Sequence, residues 1–483
     1  MDNNFRKFNL NKYITKALFN MGYLEPSKVQ EKVVPKLLNK ENIVVKSRTG
    51  SGKTASFGIP ICENINVENN NIQALIVVPT RELALQVKDE VSNIGRLKKI
   101  RCSAIFGKQP IKEQIFELKQ RVHIVVATPG RIIDHINRGT INLNQLEYFI
   151  IDEADKMLNK GFVDDMKFIF NNIPTKSTIG LFSATIGKEI SHICEMYMGK
   201  YNQIIIDENC IYKNKIEEKL MYSNEENKYE TLKNIIYALK PETTIIFLNT
   251  KDRVSQLYRR MKKDKFSVEQ LHGDMSQDKR IFTIKDLKNG KYNVLVSTDV
   301  ASRGIHIDDI SLVINYDVPR DKENYIHRIG RTGRHDRYGK AVTIVSDKDR
   351  KYIDEIKAYI GYDINVLEDI TSDKIKIGRY EFEQKSAAIF KNRRKVHNKE
   401  KIHSEVTRIY LNAGKKKKIR IIDIVGTFSN IKGINNEDIG VIEVHDLYSY
   451  VDILNYKGDK FLKDYNQINI KKKPVKVRRD NKI

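Results

Sequence analysis

Tyr148-Phe149-Ile150-Ile151-Asp152-Glu153-Ala154-Asp155 places a run of apolar residues directly before two adjacent carboxylates. Such a run reads as a strand buried on both faces of a parallel sheet, and open α/β sheets bind ligands where these strands end. Upstream, a second apolar strand, Asn42-Ile43-Val44-Val45, leads into Ser47-Arg48-Thr49-Gly50-Ser51-Gly52-Lys53-Thr54. Glycines there let backbone N–H groups wrap a phosphate chain, Lys53 reaches the terminal phosphates, and the Thr54 hydroxyl can ligate magnesium. Alone, an acidic pair after a strand is an ordinary solvated turn. With the phosphate loop beside it, the combination reads as an NTPase.

The chain has 483 residues, too many for one core and suited to two or three domains. Its first residues, Met1 to Lys7, carry no apolar signal segment, and no window approaches the ~18 uninterrupted apolar residues of a membrane span. The expectation is a cytoplasmic protein with no membrane association. Cys62, Cys102, Cys194 and Cys210 lack metal-type spacing and read as core or surface thiols. The formal charge of +24 is clustered late, in Lys391-Asn392-Arg393-Arg394-Lys395, Lys415 to Lys418 and Lys471 to Arg479. That clustering favours a polyanionic partner, nucleic acid before membrane.

From Asn71 strands and helices alternate, as parallel sheets require. Ala74 to Val78 ends in Pro79-Thr80-Arg81, and Val122 to Ala127 ends in Thr128-Pro129-Gly130-Arg131. Hydroxyls, a helix N-terminus and a guanidinium all suit a sugar-phosphate backbone, although either loop alone could be a simple helix cap. A second α/β set follows Asp207, with strands at Thr244–Leu248, Ser267–Leu271, Tyr292–Val296, Leu312–Asn315 and Ala341–Val345. It has no phosphate loop, so it reads as a partner that completes the first domain's site.

In order, these motifs resemble the DEAD-box RNA helicases from Phe5 to about Val345. The resemblance implies ATP and Mg2+ as cofactors. Phe5, Tyr23 and Gln30 would recognise adenine, and Ser47, Arg48, Thr49, Gly50, Ser51, Gly52, Lys53, Thr54 and Asp299 would complete the ATP site. Thr54 and Asp152 would hold the metal. Lys53, Asp152, Glu153, Arg331 and Arg334 would be catalytic. Arg331 and Arg334 are three residues apart, so on a helical turn they would share a face and act as arginine fingers. Ser183 and Thr185, with Asp155 and His327, would link nucleotide state to RNA. Arg81, Gly107, Thr128, Gly130, Arg131, Arg280 and Thr298 would contact RNA. Three residues depart from the family pattern: Ser47 for Ala, Lys108 for a second Gly, and His306 for an Asp near the ribose.

Beyond a polar stretch with a short helix near Phe382–Phe390, the order is strand Val406–Leu411, helix Ile419–Phe428, strands Ile439–Val444 and Tyr448–Leu454, helix Lys460–Tyr465, and a strand from Ile468. This β-α-β-β-α-β order suggests an RNA recognition motif. Tyr448 and Tyr450 alternate onto one face, where they either stack bases or cover core. Lys415 and Lys416 are further candidates for RNA contact. The segment resembles the C-terminal domain of the bacterial DEAD-box protein A group, which implies a target in large-subunit ribosomal RNA.

The expected fold is therefore α/β, with two tandem RecA-like domains at 1–206 and 207–371, a linker at 372–402, and a small α+β RNA recognition motif-like domain at 403–483. The expected function is an ATP-dependent RNA helicase that locally unwinds 23S ribosomal RNA in the pre-ribosomal large subunit, acting as a monomer. The rival is an ATP-gated RNA clamp or chaperone with little strand separation.

Overall fold

The computed structural model describes residues 4–47, 51–158, 161–206, 216–299, 310–333, 338–368, 370–392 and 405–480. The first lobe is a seven-stranded parallel sheet with strands β1 (Ile43–Lys46), β2 (Ala74–Val77), β3 (Cys102–Ile105), β4 (Ile124–Ala127), β5 (Tyr148–Ile151), β6 (Thr178–Ser183) and β7 (Asn202–Ile205). Their order is β3-β4-β2-β5-β6-β1-β7. β2, β4 and β5 are buried throughout, which is why their sequences are continuous apolar runs instead of alternating ones, and β6 is buried along its length as well. The order divides the ligand edge. The phosphate-loop strand β1 and the acidic strand β5 both flank β6, while β2, β4 and β3 carry the Arg81, Thr128 and Gly107 loops.

His123, just before β4, is buried, and its Nδ1 accepts the Arg101 backbone N–H at 2.9 Å. Burial, reinforced by the Arg121 charge, lowers its pKa to about 4. The unfolded chain therefore takes up a proton near pH 6.5 that the folded lobe refuses, and stability falls as pH drops from there towards 4. Between pH 7.5 and 5 this group should remove about 2 kcal/mol. Urea midpoints at the two pH values should show the loss, and His123→Gln should flatten the dependence.

The second lobe repeats the parallel design with β8 (Ile216–Tyr222), β9 (Thr244–Leu248), β10 (Val268–Leu271), β11 (Val294–Thr298), β12 (Leu312–Asn315), β13 (Gly339–Val345) and β14 (Asn365–Val366). Their order is β10-β11-β9-β12-β13-β8-β14. In the stretch read as a linker, the short helix expected near Phe382–Phe390 is part of a longer one, Ser372–Asn392. It is anchored because Phe382 meets the rings of Tyr237 and Phe266, and Gly378 lies so close to the Tyr237 carbonyl that any Cβ would collide. Its overall polarity hid this narrow apolar contact.

The C-terminal domain has strands β15 (Thr407–Leu411), β16 (Ile439–Val444), β17 (Ser449–Ile453), β18 (Gln467–Ile470) and β19 (Lys473–Arg479), in order β16-β17-β15-β19-β18. Four of these strands give the RNA recognition motif topology, and β18 adds an edge. The last segment, read as one strand, is a hairpin that turns at Lys471 and Lys472. Residues of this domain and of the first lobe form one compact unit, joined by the bidentate Arg96–Asp452 pair. Residues 206–397 belong to the other. Among the described residues no helix is long and apolar enough to cross a membrane.

Candidate active site and RNA interface

Gly52 precedes the helix Lys53–Asn64 with φ +91°. A Cβ there would lie 2.7 Å from Gln30 Nε2, so both the left-handed backbone and the close approach require glycine. Gln30 is fixed at both ends of its amide: Oε1 accepts the Ser27 N–H at 2.9 Å, and Nε2 donates to the Gly52 carbonyl at 3.3 Å. Gln30 and the glycine that opens this helix are thus one hydrogen-bonded piece. Phe5 is fully buried against Phe8 and Tyr23, and Tyr23 donates to Glu90. Lys53 and Thr54 are buried in the first helical turn, and Lys53 Nζ donates to the Ser47 carbonyl at 2.8 Å. Arg48, Thr49 and Gly50 lie outside the described residues.

Asp152 and Glu153 emerge from β5, both buried, and Asp152 Oδ1 accepts the Glu153 N–H. Glu153 has φ +55°, a conformation that costs an L-residue roughly 1 kcal/mol. Lys156 Nζ lies 2.7 Å from its Oε1. Asp155 reaches across to β6: its Oδ2 accepts the Ala184 and Thr185 N–H groups at 3.2 Å and the Thr185 hydroxyl at 3.3 Å. Ser183 Oγ accepts the Asp155 N–H in return. The acidic turn and the Ser-Ala-Thr segment therefore cannot shift independently.

Three domain families match the sequence: DEAD/DEAH box helicase over residues 27–193, Helicase conserved C-terminal domain over 227–336, and DbpA RNA binding domain over 408–479. The ATP-dependent RNA helicase DbpA of Bacillus subtilis is 43% identical over 478 residues, 99% of each chain. The chain belongs to the DEAD-box RNA helicases. Its fold is also similar to a crystal structure of a DEAD box protein from Methanococcus jannaschii, with 42% identity, a TM-score of 0.51, and coverage of 76% of this chain and 99% of that one. S. cerevisiae Dbp5 bound to RNA and ADP BeF3 aligns with 29% identity and a TM-score of 0.67, over 81% of this chain and 99% of that one. The protein is thus an ATP-dependent RNA helicase, closely related to bacterial DbpA.

On the helicase's other half-edge, Thr80 caps the Arg81 helix, and Gly107 lies beside the Arg81 guanidinium. Arg131 Nη1 donates to the Gln109 carbonyl and to Gln114 Oε1, at 3.0 and 2.9 Å. Gln114 also donates to the Phe106 carbonyl, so this buried amide ties the Gly107 loop to Arg131. Nothing in its sequence surroundings singled it out. Lys108 adopts φ +63°, the conformation a second glycine would take without strain. Thr128 and Gly130 open the helix Pro129–Asn137, and no heavy atom lies within 4 Å of a Cβ placed on Gly130.

In the helicase's second lobe, Thr298 ends β11 and is buried, and Arg280 lies on the helix Gln277–Lys288. His327 lies on the helix Lys322–Ile329, Gly330 caps that helix, and Arg331 follows in a turn. Arg334 and His306 lie outside the described residues. Asp299 takes both Nε and Nη2 of the fully buried Arg328, at 2.5 and 2.7 Å. Arg328 escaped the sequence reading because its neighbours in the same motif looked like the chemical ones.

In the C-terminal domain Tyr448 and Tyr450 form a half-buried ring cluster with Tyr410, apart from the core built by Ile409, Leu411, Val451 and Ile453. Arg408 and Arg478 lie over Tyr450 and Tyr410. The lysine loops converge: Lys471 Nζ donates to the Lys418 carbonyl and Lys473 Nζ to that of Lys417, next to the short turn of helix Lys415–Lys417.

Proposed function

We propose that this helicase opens short duplexes in 23S ribosomal RNA during large-subunit assembly, as a cytoplasmic monomer. The observation that carries the reading is the Asp155 carboxylate, which fastens the nucleotide-side acidic turn to Ser183-Ala184-Thr185. The full-length likeness to DbpA and the matching RNA-binding domain support the ribosomal target.

The residues fit ATP and magnesium. Gly52 leaves room only for backbone, Lys53 and Thr54 start a helix whose N–H groups favour anions, and Asp152 is buried at the neighbouring acidic turn. Lys53 and the loop amides would hold phosphates, and Thr54 and Asp152 the metal, Asp152 through water. When bound, magnesium ATP supplies the cleavable phosphoanhydride and the charge that offsets its negative oxygens. Glu153 orients the attacking water and takes its proton. Gln30 selects adenine because one amide can donate and accept together. Arg331 and Arg334 belong to the other lobe, so neither lobe holds a complete set of reacting groups and RNA contacting both gates hydrolysis. A strand bent to fit both lobes cannot stay in A-form duplex, so strands part locally without translocation.

The test uses a labelled duplex placed beside a 23S hairpin fragment, and the same duplex without it. ATP-dependent strand release and RNA-stimulated hydrolysis should both favour the hairpin substrate. Hydrolysis with RNA retained but no strand released would replace unwinding with an RNA clamp.

A further inference from the structure

The second lobe contains an ionic network, buried at Asp317, Lys228 and Arg328 and exposed at Arg253, that the assigned motifs do not explain; it is centred on Asp317 in the turn after β12. Its Oδ1 and Oδ2 take Arg253 Nη2 and Nε at 2.7 and 2.9 Å, and Oδ2 also accepts the Asn249 N–H at 3.0 Å. Lys228, almost fully buried, stands 3.9 Å away with Asp349 and Glu225 as further partners. The Asp317 carbonyl accepts Arg328 Nη1 at 2.6 Å. Asn249 closes the ring, taking Arg328 Nη2 on its Oδ1 at 2.8 Å and donating Nδ2 to the Val318 carbonyl at 3.0 Å.

Three pieces of lobe 2 meet here. Asn249 and Thr250 form the turn after β9, and Thr250 caps the helix Lys251–Lys263 that carries Arg253. β9 pairs with β11 in register Leu248↔Thr298, so this turn and Thr298 sit side by side on one ligand edge, where a helix N-terminus suits phosphate. Arg328 joins the same turn to Asp299 and stands three residues before Arg331.

We infer that Asp317 is a positioning residue: with Arg253 it fixes the Asn249–Thr250 turn for RNA and ties that turn, through Arg328, to the arginine-bearing end of the lobe. This rests on the RNA-facing assignment of the Thr298 edge. A charge-assisted bidentate pair fixes direction as well as distance, which a turn receiving a phosphate needs. The ionic partners hold the turn ready before RNA arrives, so losing them should weaken RNA coupling while leaving the ATP site on the other lobe alone.

The measurement is steady-state ATPase of the full chain, titrated separately with RNA and with ATP. Arg253→Met leaves Asp317 its Asn249 and Lys228 partners and keeps the lobe folded. It should raise the RNA concentration for half-maximal activity about tenfold while the KM for ATP at saturating RNA stays within about twofold. Arg253→Lys, which keeps the charge but not the fork, should fall between. Asp317→Asn should act in the same direction and more strongly. If Asp317→Asn does not fold, Arg253→Met decides. An unchanged RNA half-saturation in Arg253→Met, or equal rises in both constants, would overturn the inference. A wild-type enzyme that RNA does not stimulate would overturn the functional reading instead.

Discussion

Replacing Glu153 by Gln should leave ATP bound and turnover nearly abolished, by about 10²–10⁴-fold, the usual worth of a positioned general base. The substitution keeps the shape of the side chain, and every group that would hold the nucleotide lies elsewhere: Gln30, Gly52, Lys53 and Thr54 on β1's side of the sheet, Asp152 one residue before. What is lost is the ability to accept a proton, together with the charge that draws Lys156 to 2.7 Å. The φ of +55° at residue 153 is a property of the turn, fixed by the Asp152 carboxylate and the start of the next helix, so the amide should occupy the same place. Nucleotide affinity measured by fluorescence and single-turnover hydrolysis separate the two effects. Affinity should move by no more than a few-fold. Turnover above about a tenth of wild type would remove Glu153 from the role of water activator.

Much of this arrangement was legible in the sequence, for a physical reason. Strands buried on both faces must be apolar throughout, so Tyr148–Ile151, Thr244–Leu248 and Leu312–Asn315 match the sequence reading at both ends. β7 escaped because an edge strand is half-exposed and Asn202-Gln203-Ile204-Ile205 has too little contrast. β8 reads as charged, Ile216-Glu217-Glu218-Lys219, although it pairs along its length with β13. The hairpin between β18 and β19 was hidden by chemistry: both turn residues, Lys471 and Lys472, have positive φ, a task usually given to Asn-Gly. At the site, residues with motif chemistry were found, whereas those that hold them were not. Gln114, Lys156, Asp317 and Arg328 act through folded geometry, and no spacing announces a partner on a distant strand.

Removing residues 403–483 should erase target preference and spare generic activity. The C-terminal domain has its own sheet and core, from Ile409 to Val477, and neither parallel sheet draws a strand from it. The Arg96–Asp452 pair is broken by the deletion, yet Arg96 then faces water, so no buried charge is left alone. The helix Ser372–Asn392 stays, held by Phe382 against Tyr237 and Phe266. What disappears is an anchor: the Tyr410, Tyr448 and Tyr450 cluster and the joined lysine loops at 415–418 and 471–473. A tethered second site raises the effective concentration of nearby duplex to the millimolar range and avidity by about 10²–10⁴. Strand release beside the hairpin should therefore fall by about 10² or more in kcat/KM, to the level of a duplex with no hairpin, while ATPase on generic RNA changes only a few-fold. The salt response should change too, because each lost lysine–phosphate contact removes about one unit from the slope of log affinity against log salt. If the truncated enzyme still preferred the hairpin substrate by the full ratio, selection would lie in the two lobes, and the tyrosine cluster and lysine loops would have to serve something other than targeting.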